Sequence, residues 1–157
     1  MNYSENAEDR VGVLHFASTQ GSEVSPVRVR NNLRVLDAAL QSPNVDLGGG
    51  TEIAEAIRAA SRLSRFSSDH HPVFVIFSDG VPSDDRYPEI GVAVSEAEVR
   101  VWLVALDADG LFSATAERHW KGFGLAGILE LDRIGSSTVA EAFARIVTTE
   151  TGQQWPP

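Results

Sequence analysis

Short apolar runs alternate with stretches of helical spacing along most of this chain. The run from Val73 to Phe77 contains no polar residue, which is typical of a parallel strand covered by helices on both faces. An earlier stretch instead places Ile53, Ile57, Ala60 and Leu63 at the three-and-four spacing of a helix. This alternation predicts an α/β fold of three layers (αβα), with a doubly wound, mostly parallel sheet between two layers of helices.

The apolar runs also predict the order and the direction of the strands. Strands are expected near residues 11–17, 24–29, 72–78, 99–106 and 127–131. A short turn joins the first two, so we expect them to be antiparallel, whereas helical stretches separate the others, so we expect those to be parallel. Because its run is apolar throughout, we expect the strand at 72–78 in the interior of the sheet.

Cap residues and apolar spacing locate the helices. The first helix is predicted to begin at Asn31 or Asn32 and to bury Leu33, Leu36 and Leu40 on one side. The later helices are predicted near residues 90–97, 113–123 and 138–147.

The length of the chain suits one domain with a single core. The 157 residues are too few for two comfortable domains, so we assign residues 11–148 to one domain. Residues 1–10 are polar and are expected to be frayed or disordered. Residues 149–157 are expected to form a disordered tail.

Composition excludes several classes of function. The formal net charge is -9 and no basic cluster occurs, so the phosphate backbone of a nucleic acid would be repelled. The absence of cysteine excludes disulfides, thiolate zinc sites and a cysteine nucleophile. The first residues lack a secretory signal, and no apolar stretch reaches the roughly 18 residues of a membrane span. We therefore expect a cytoplasmic protein that binds neither nucleic acid nor membrane.

Two residues are candidates for a binding site. The apolar run stops on Ser78, Asp79 and Gly80, and the carboxyl ends of the strands in an open parallel sheet form the ligand crevice, so Asp79 is expected to face it. Thr51 stands at the end of a glycine-rich loop, where the next helix begins. Each residue also has a purely structural interpretation, since Asp79 is suited to cap a turn and Thr51 to cap a helix. Both alternatives stay open at this level.

Three segments resemble a von Willebrand factor type A domain. The segment DRVGVLHFAS resembles its second strand, LGGGTEIAEAI its threonine loop and following helix, and VFVIFSDG its fourth strand. The resemblance covers residues 9–148 and implies a non-catalytic module that binds another protein. In that family a metal-ion-dependent adhesion site takes a threonine from one loop and an aspartate from another, which match Thr51 and Asp79. The resemblance thus implies a Mg²⁺ site at these two residues.

The sequence departs from the family in one motif. The family's first strand ends in Asp-x-Ser-x-Ser, which supplies an aspartate and two serines to the metal, and this motif does not occur here. We therefore expect the first central strand and its helix to be missing from this chain, and Mg²⁺ binding by the chain alone to be weak or absent. Three sources of completion are open, namely a missing N-terminal segment, another polypeptide, or a homodimer formed by strand exchange.

An enzyme is the alternative interpretation. Aspartates at strand ends also serve Mg²⁺-dependent phosphoryl-transfer enzymes and phosphate-binding regulatory domains. Those chemistries need a second carboxylate two residues away or a lysine on a late strand. Asp79 is followed by Gly80 and Val81, and the only lysine, Lys121, falls on a predicted helix. These positions favour the binding module.

Overall fold

The computed structural model describes residues 10–16, 20–41, 52–64, 71–82, 86–106, 114–131 and 136–152. The chain divides into two compact units. One comprises residues 1–70 and 82–84, and the other comprises residues 71–81 and 85–157. No helix in these described ranges is both long and apolar enough to cross a membrane.

The first unit contains a two-stranded hairpin and two helices. Its strands pair antiparallel, as the sequence predicts. Both helices contact both strands, so the hairpin supplies the surface on which the helices pack. In chain order the elements are β1 (Arg10–Phe16), β2 (Gln20–Arg28), α1 (Val29–Gln41) and α2 (Ile53–Ser64).

The buried side of α1 differs from the predicted one. Leu36 is 7% exposed, but Leu33 is 52% exposed, so the prediction was wrong for Leu33. The helix begins at Val29, and its backbone is kinked at Asn32, with φ -130° and ψ 19°. The side-chain amide of Asn32 donates to the carbonyl of Arg28 at 2.9 Å. Because the kink interrupts the helical register just before Leu33, spacing from Leu36 does not define the buried side there.

Helix α2 is buried over more of its circumference than the sequence predicts. Ile53 and Ile57 are 1% and 2% exposed, as their spacing indicates. Three alanines on other sides of the helix are buried as well. These are Ala54, Ala56 and Ala59.

The second unit is an α/β domain with a parallel sheet. Its three strands pair in parallel in the order β3-β4-β5, with Ser78 opposite Ala105 and Leu106 opposite Leu131. A helix connects each strand to the next, which is the connection that parallel strands require. In chain order the elements are β3 (Val73–Ser78), α3 (Tyr87–Ala97), β4 (Arg100–Leu106), α4 (Ala114–Lys121), β5 (Gly127–Leu131) and α5 (Ser136–Thr151).

Strand β4, in the middle of the sheet of the second unit, is buried on both faces. One face packs against Ala142 and Ile146 of α5 through Trp102 and Val104 of β4. Alternate residues of a strand point to opposite faces, and Leu103, between these two, is 0% exposed. The apolar run of β4 therefore does indicate a strand covered on both faces, whereas within the run Val73–Phe77 of β3 only Ile76 is buried and the other residues are half-buried.

The position of β3 in its sheet differs from the prediction. We expect an interior strand, but β3 is the first strand of its three-stranded sheet, and among the described strands it pairs only with β4. The discrepancy has a physical cause. An apolar run indicates that side chains cover both faces of a strand. It does not indicate whether a neighbouring strand pairs with each edge, because that pairing is made by backbone hydrogen bonds.

Helix α5 continues beyond its predicted end. It extends to Thr151, so residues 149–151 of the expected disordered tail are helical, while residues 153–157 lie outside the described ranges. Glu150 explains the extension. Its carboxylate accepts hydrogen bonds from Nε of Arg100 and from Nε1 of Trp102, each at 2.6 Å. These bonds attach the last turn of α5 to β4.

Candidate functional site

Asp79 lies one residue beyond the carboxyl end of β3. The parallel register sets Ser78 opposite Ala105, so the ends of β3 and β4 lie at the same edge of the sheet. In open α/β sheets, ligands bind outside this edge. The side chain of Asp79 is half-buried, so a part of its surface is accessible to a ligand. The structure thus places Asp79 as the sequence predicts.

A tight turn holds one oxygen of the Asp79 carboxylate. The backbone N–H of Val81 donates to Oδ1 at 3.1 Å, and the hydroxyl of Ser78 donates to the same oxygen at 3.2 Å. The Ser78 hydroxyl also accepts from the backbone N–H of Gly80 at 3.1 Å. Gly80 has φ 72°, a conformation that glycine adopts without strain. Both bonds to Asp79 use Oδ1, and Oδ2 takes part in neither of them.

Trp120 fixes the same turn from α4. Its indole Nε1–H donates to the carbonyl of Gly80 at 2.7 Å, and its side chain is 0% exposed. The ring of Phe123 meets the Trp120 ring edge-on, with centroids 5.6 Å apart. A buried carbonyl without a hydrogen-bond partner costs free energy, so the bond from Trp120 stabilises the backbone conformation of this turn.

Trp120 and Ser78 are site residues that sequence reasoning missed. One feature of the sequence could have indicated Trp120, since it is a large aromatic residue within the otherwise polar segment ERHWK, and such a residue is rarely left in solvent. Ser78 had a weaker signal, since a serine before Asp-Gly is common in turns of many kinds. Neither signal says which backbone group the side chain contacts.

The other predicted ligand and the neighbouring loops lie outside the described residues. These include Thr51, the glycines before it and Asp107, which follows β4. The structure therefore leaves the predicted pairing of Thr51 with Asp79 as a prediction. Within the described residues, no group of three or more His, Asp or Glu side chains could hold a metal ion.

The donor atoms present suit a hard cation in kind but supply little charge. The carboxylate of Asp79 and the hydroxyl of Ser78 are oxygen donors, the type that Mg²⁺ prefers. The Ser78 hydroxyl is already engaged within the turn, so Asp79 Oδ2 is the charged ligand available at this position. A site built on one carboxylate leaves most of the octahedral shell of Mg²⁺ to water or to other groups.

Lys121 lies on a helix, so it does not supply the strand lysine that a phosphoryl-transfer site would use. It is the last residue of α4, and its ammonium pairs with Glu117 one turn earlier in the same helix. The hydrogen bond from Lys121 to Glu117 raises the pKa of Lys121 above its ordinary value. The prediction that this lysine lies on a helix is confirmed.

The fold and the strand-end aspartate define an α/β domain of the Rossmann-like class. The chain belongs to the von Willebrand factor type A domain family, whose model matches residues 1–151. Domains of this family are generally interaction modules without enzymatic activity. The family resemblance of the sequence is thereby confirmed.

A solved structure supports the same fold. The crystal structure of the conserved hypothetical protein BatB from Bacteroides thetaiotaomicron matches 92% of this chain and 80% of that chain, with a TM-score of 0.65 and 15% identity. At this identity the likeness concerns the fold. The search of curated proteins gave no significant match.

Proposed function

We propose that this chain is a non-catalytic, cytoplasmic module that binds another protein at the carboxyl end of its parallel sheet. In this proposal a Mg²⁺ ion is held by Thr51 and Asp79, and a carboxylate of the partner takes an open position on the ion. The observation that carries the proposal is the turn after β3. It fixes Asp79 Oδ1 by two hydrogen bonds that do not use Oδ2, and it lies at the ligand edge of the sheet, where a carboxylate oxygen is the kind of ligand that Mg²⁺ prefers.

The metal site is incomplete within this chain in our proposal. Thr51 and Asp79 would supply two oxygens, of which one is charged, while an octahedral Mg²⁺ ion takes six. Further ligands would come from water, from the partner, or from a segment that supplies the family's Asp-x-Ser-x-Ser motif. Mg²⁺ alone should therefore bind weakly, and the partner should bind more tightly when Mg²⁺ is present.

Removing the carboxylate of Asp79 should abolish metal binding. We expect isothermal titration calorimetry with Mg²⁺, or electron paramagnetic resonance with Mn²⁺, to give dissociation constants on the order of millimolar for the unmodified chain. Asp79→Asn removes the negative charge and should leave no measurable binding. Thr51→Val keeps the charge of Asp79 and should weaken Mg²⁺ binding relative to the unmodified chain.

The matched control for Asp79→Asn is Glu89→Gln. It removes an exposed carboxylate from α3, so it changes the net charge by the same amount. This control should bind the metal as the unmodified chain does. Tight binding that survives Asp79→Ala would contradict the proposed site, because the ion would then be held elsewhere.

We also propose that a strand from another polypeptide pairs with β3 along the edge opposite β4. The sequence of β3, VFVIFS, has no charge or proline, which are the residues that natural proteins place on edge strands to prevent pairing. By contrast, β2 contains Glu23 and Pro26, and β5 contains Glu130. The composition of β3 is thus that of an interior strand. About five added backbone hydrogen bonds, at roughly 1 kcal/mol each, would contribute on the order of 5 kcal/mol.

The chain alone should therefore be marginally stable or associated. Whole domains have about 5–15 kcal/mol of net stability, so an unpaired interior strand is a large loss. We expect size-exclusion chromatography with light scattering to show concentration-dependent mass, or thermal melting to show a low and broad transition. A monodisperse monomer that melts cooperatively above about 60 °C would contradict the strand-addition proposal. A discrete dimer would identify a second copy as the donor of the strand.

A further inference from the structure

We infer that Trp120 is a positioning residue that sets the orientation of the Asp79 carboxylate through the backbone of Gly80. The inference rests on the proposed function in one respect, namely that Asp79 is the residue whose orientation matters. The geometric part is independent of that proposal. It concerns a hydrogen bond from α4 to the turn after β3, between residues that are 40 positions apart in the chain.

A buried hydrogen bond connects Trp120 to the turn after β3. Nε1–H of Trp120 donates to the Gly80 carbonyl at 2.7 Å, and the bond is buried. An indole nitrogen is a donor only, so it cannot exchange roles with the carbonyl and fixes the direction in which that carbonyl points. Water cannot readily replace Trp120 as the donor, because its side chain is 0% exposed.

The Gly80 peptide group connects this bond to Asp79. The carbonyl of Gly80 belongs to the same peptide group as the N–H of Val81, and this N–H donates to Asp79 Oδ1 at 3.1 Å. A peptide group is planar, so fixing the carbonyl also fixes the N–H on its other side. Trp120 therefore aims the donor that holds Oδ1, and with it the direction of Oδ2.

The Trp120 ring is itself held in place. Phe123 contacts it edge-on, and the backbone N–H of Phe123 donates to the Trp120 carbonyl at 3.1 Å. The Phe123 ring in turn lies against Gly91 of α3, so closely that a Cβ on Gly91 would come within 2.9 Å of Cδ1 of the ring. Phe123, which follows α4, thus connects the indole to α3 and helps to hold its position.

Trp120→Phe is the variant that tests the inference, because it keeps an aromatic ring and removes the N–H. We expect the amides of Gly80 and Val81 to exchange hydrogen roughly five- to tenfold faster, measured by nuclear magnetic resonance on the full chain. Amides of the central strand β4 serve as the internal reference for global stability. Phe123→Leu is the matched control, since it loosens the same packing and retains the indole donor, and it should accelerate exchange at the turn by less than Trp120→Phe does.

Three results would overturn the inference. In the first, Trp120→Phe lowers the melting temperature but leaves exchange at Gly80 and Val81 unchanged relative to β4, so Trp120 only fills the core. In the second, Phe123→Leu accelerates exchange at the turn as much as Trp120→Phe does, so packing and not the hydrogen bond is responsible. In the third, which needs no variant to fold, the indole N–H of Trp120 exchanges freely in the unmodified chain.

Metal binding distinguishes this inference from the proposed function. Mn²⁺ added to the unmodified chain should broaden the signals of Gly80 and Val81, and in Trp120→Phe this broadening should need several-fold more Mn²⁺. If Trp120→Phe accelerates exchange at the turn but Mn²⁺ broadens neither signal in the unmodified chain, the role of Trp120 in positioning the carboxylate stands and the proposed metal site fails. If broadening in the unmodified chain is unaffected by Trp120→Phe, the positioning role is contradicted and the metal site stands.

Discussion

Gly127→Ala is expected to lower the free energy of unfolding by about 3 kcal/mol, although alanine is ordinarily the better residue in a strand. Gly127 lies opposite Trp102 in the parallel register of β4 and β5. A Cβ on Gly127 would lie 2.8 Å from Cε3 and Cη2 of the Trp102 indole, and closer still to Cζ3. Carbon atoms in contact are normally about 3.5–4.0 Å apart, so the indole must move.

The clash is expected to outweigh the benefits of alanine because of what the indole is attached to. Replacing glycine with alanine at an unstrained position stabilises a protein by about 0.4–1 kcal/mol, and overpacking a core costs about 1–3 kcal/mol. Trp102 is 7% exposed and its Nε1–H donates to Glu150, so displacement of the ring also breaks that bond. Chemical denaturation followed by far-ultraviolet circular dichroism measures the loss, which corresponds to a fall of roughly 6–12 °C in melting temperature.

The matched control for Gly127→Ala is the same substitution in a Trp102→Leu background. Trp102→Leu is itself destabilising, but it removes the ring that a Cβ at Gly127 would meet. Adding Gly127→Ala to it should cost less than about 1 kcal/mol, so the two substitutions should show strong coupling in a double-mutant cycle. Equal costs in both backgrounds would contradict the steric explanation.

Glu150→Ala is expected to lower the free energy of unfolding by about 2 kcal/mol. The side chain of Glu150 is 9% exposed and accepts from Arg100 and Trp102. Its removal leaves the Trp102 N–H without an acceptor, which is the larger part of the cost. The part due to Arg100 is smaller, because the side chain of Arg100 is 60% exposed and solvent screens the pair. Glu150→Gln keeps an acceptor for Trp102 and should cost about half as much.

The contribution of Glu150 should depend on pH in a predictable direction. Burial disfavours the charged carboxylate, but the hydrogen bonds from Arg100 and Trp102, with the charge of Arg100, outweigh it, so the pKa of Glu150 lies below its ordinary value of 4.5. A carboxyl with a lowered pKa in the folded state stabilises the fold above its unfolded pKa and loses that contribution on acidification. The stability difference between the unmodified chain and Glu150→Gln should therefore be constant near neutral pH and shrink below about pH 4.5.

The control for this pH dependence is Glu141→Gln, which replaces an exposed carboxylate on the same helix. Its stability difference from the unmodified chain should stay small across the same range of pH. The test is to measure the unfolding free energies of the unmodified chain and both variants at several values of pH between about 3 and 7. A difference for Glu150→Gln that grows on acidification would contradict a lowered pKa.

The candidate site could be predicted in part. Asp79 was identifiable because a carboxylate just beyond the end of an apolar strand lies at the ligand edge of a parallel sheet whatever the rest of the fold is. Thr51 depends on the family resemblance and stays a prediction. The bonds that orient Asp79 were not predictable in full, because the Trp120 donor belongs to a different element and reaches a backbone carbonyl, which every residue possesses.

The sequence by itself determined the kinds of element, their order and the directions of the strands. These properties follow from local periodicity, since side chains alternate along a strand and recur every three or four positions along a helix. The tertiary structure alone decided which residues meet across the domain. The contact of Gly127 with Trp102, the bond from Trp102 to Glu150 and the position of β3 at the edge of its sheet are all of this kind. Periodicity indicates that a face is buried, but the identity of the group that covers it depends on residues distant in the chain. Trp102 and its acceptor Glu150, for example, are 48 positions apart.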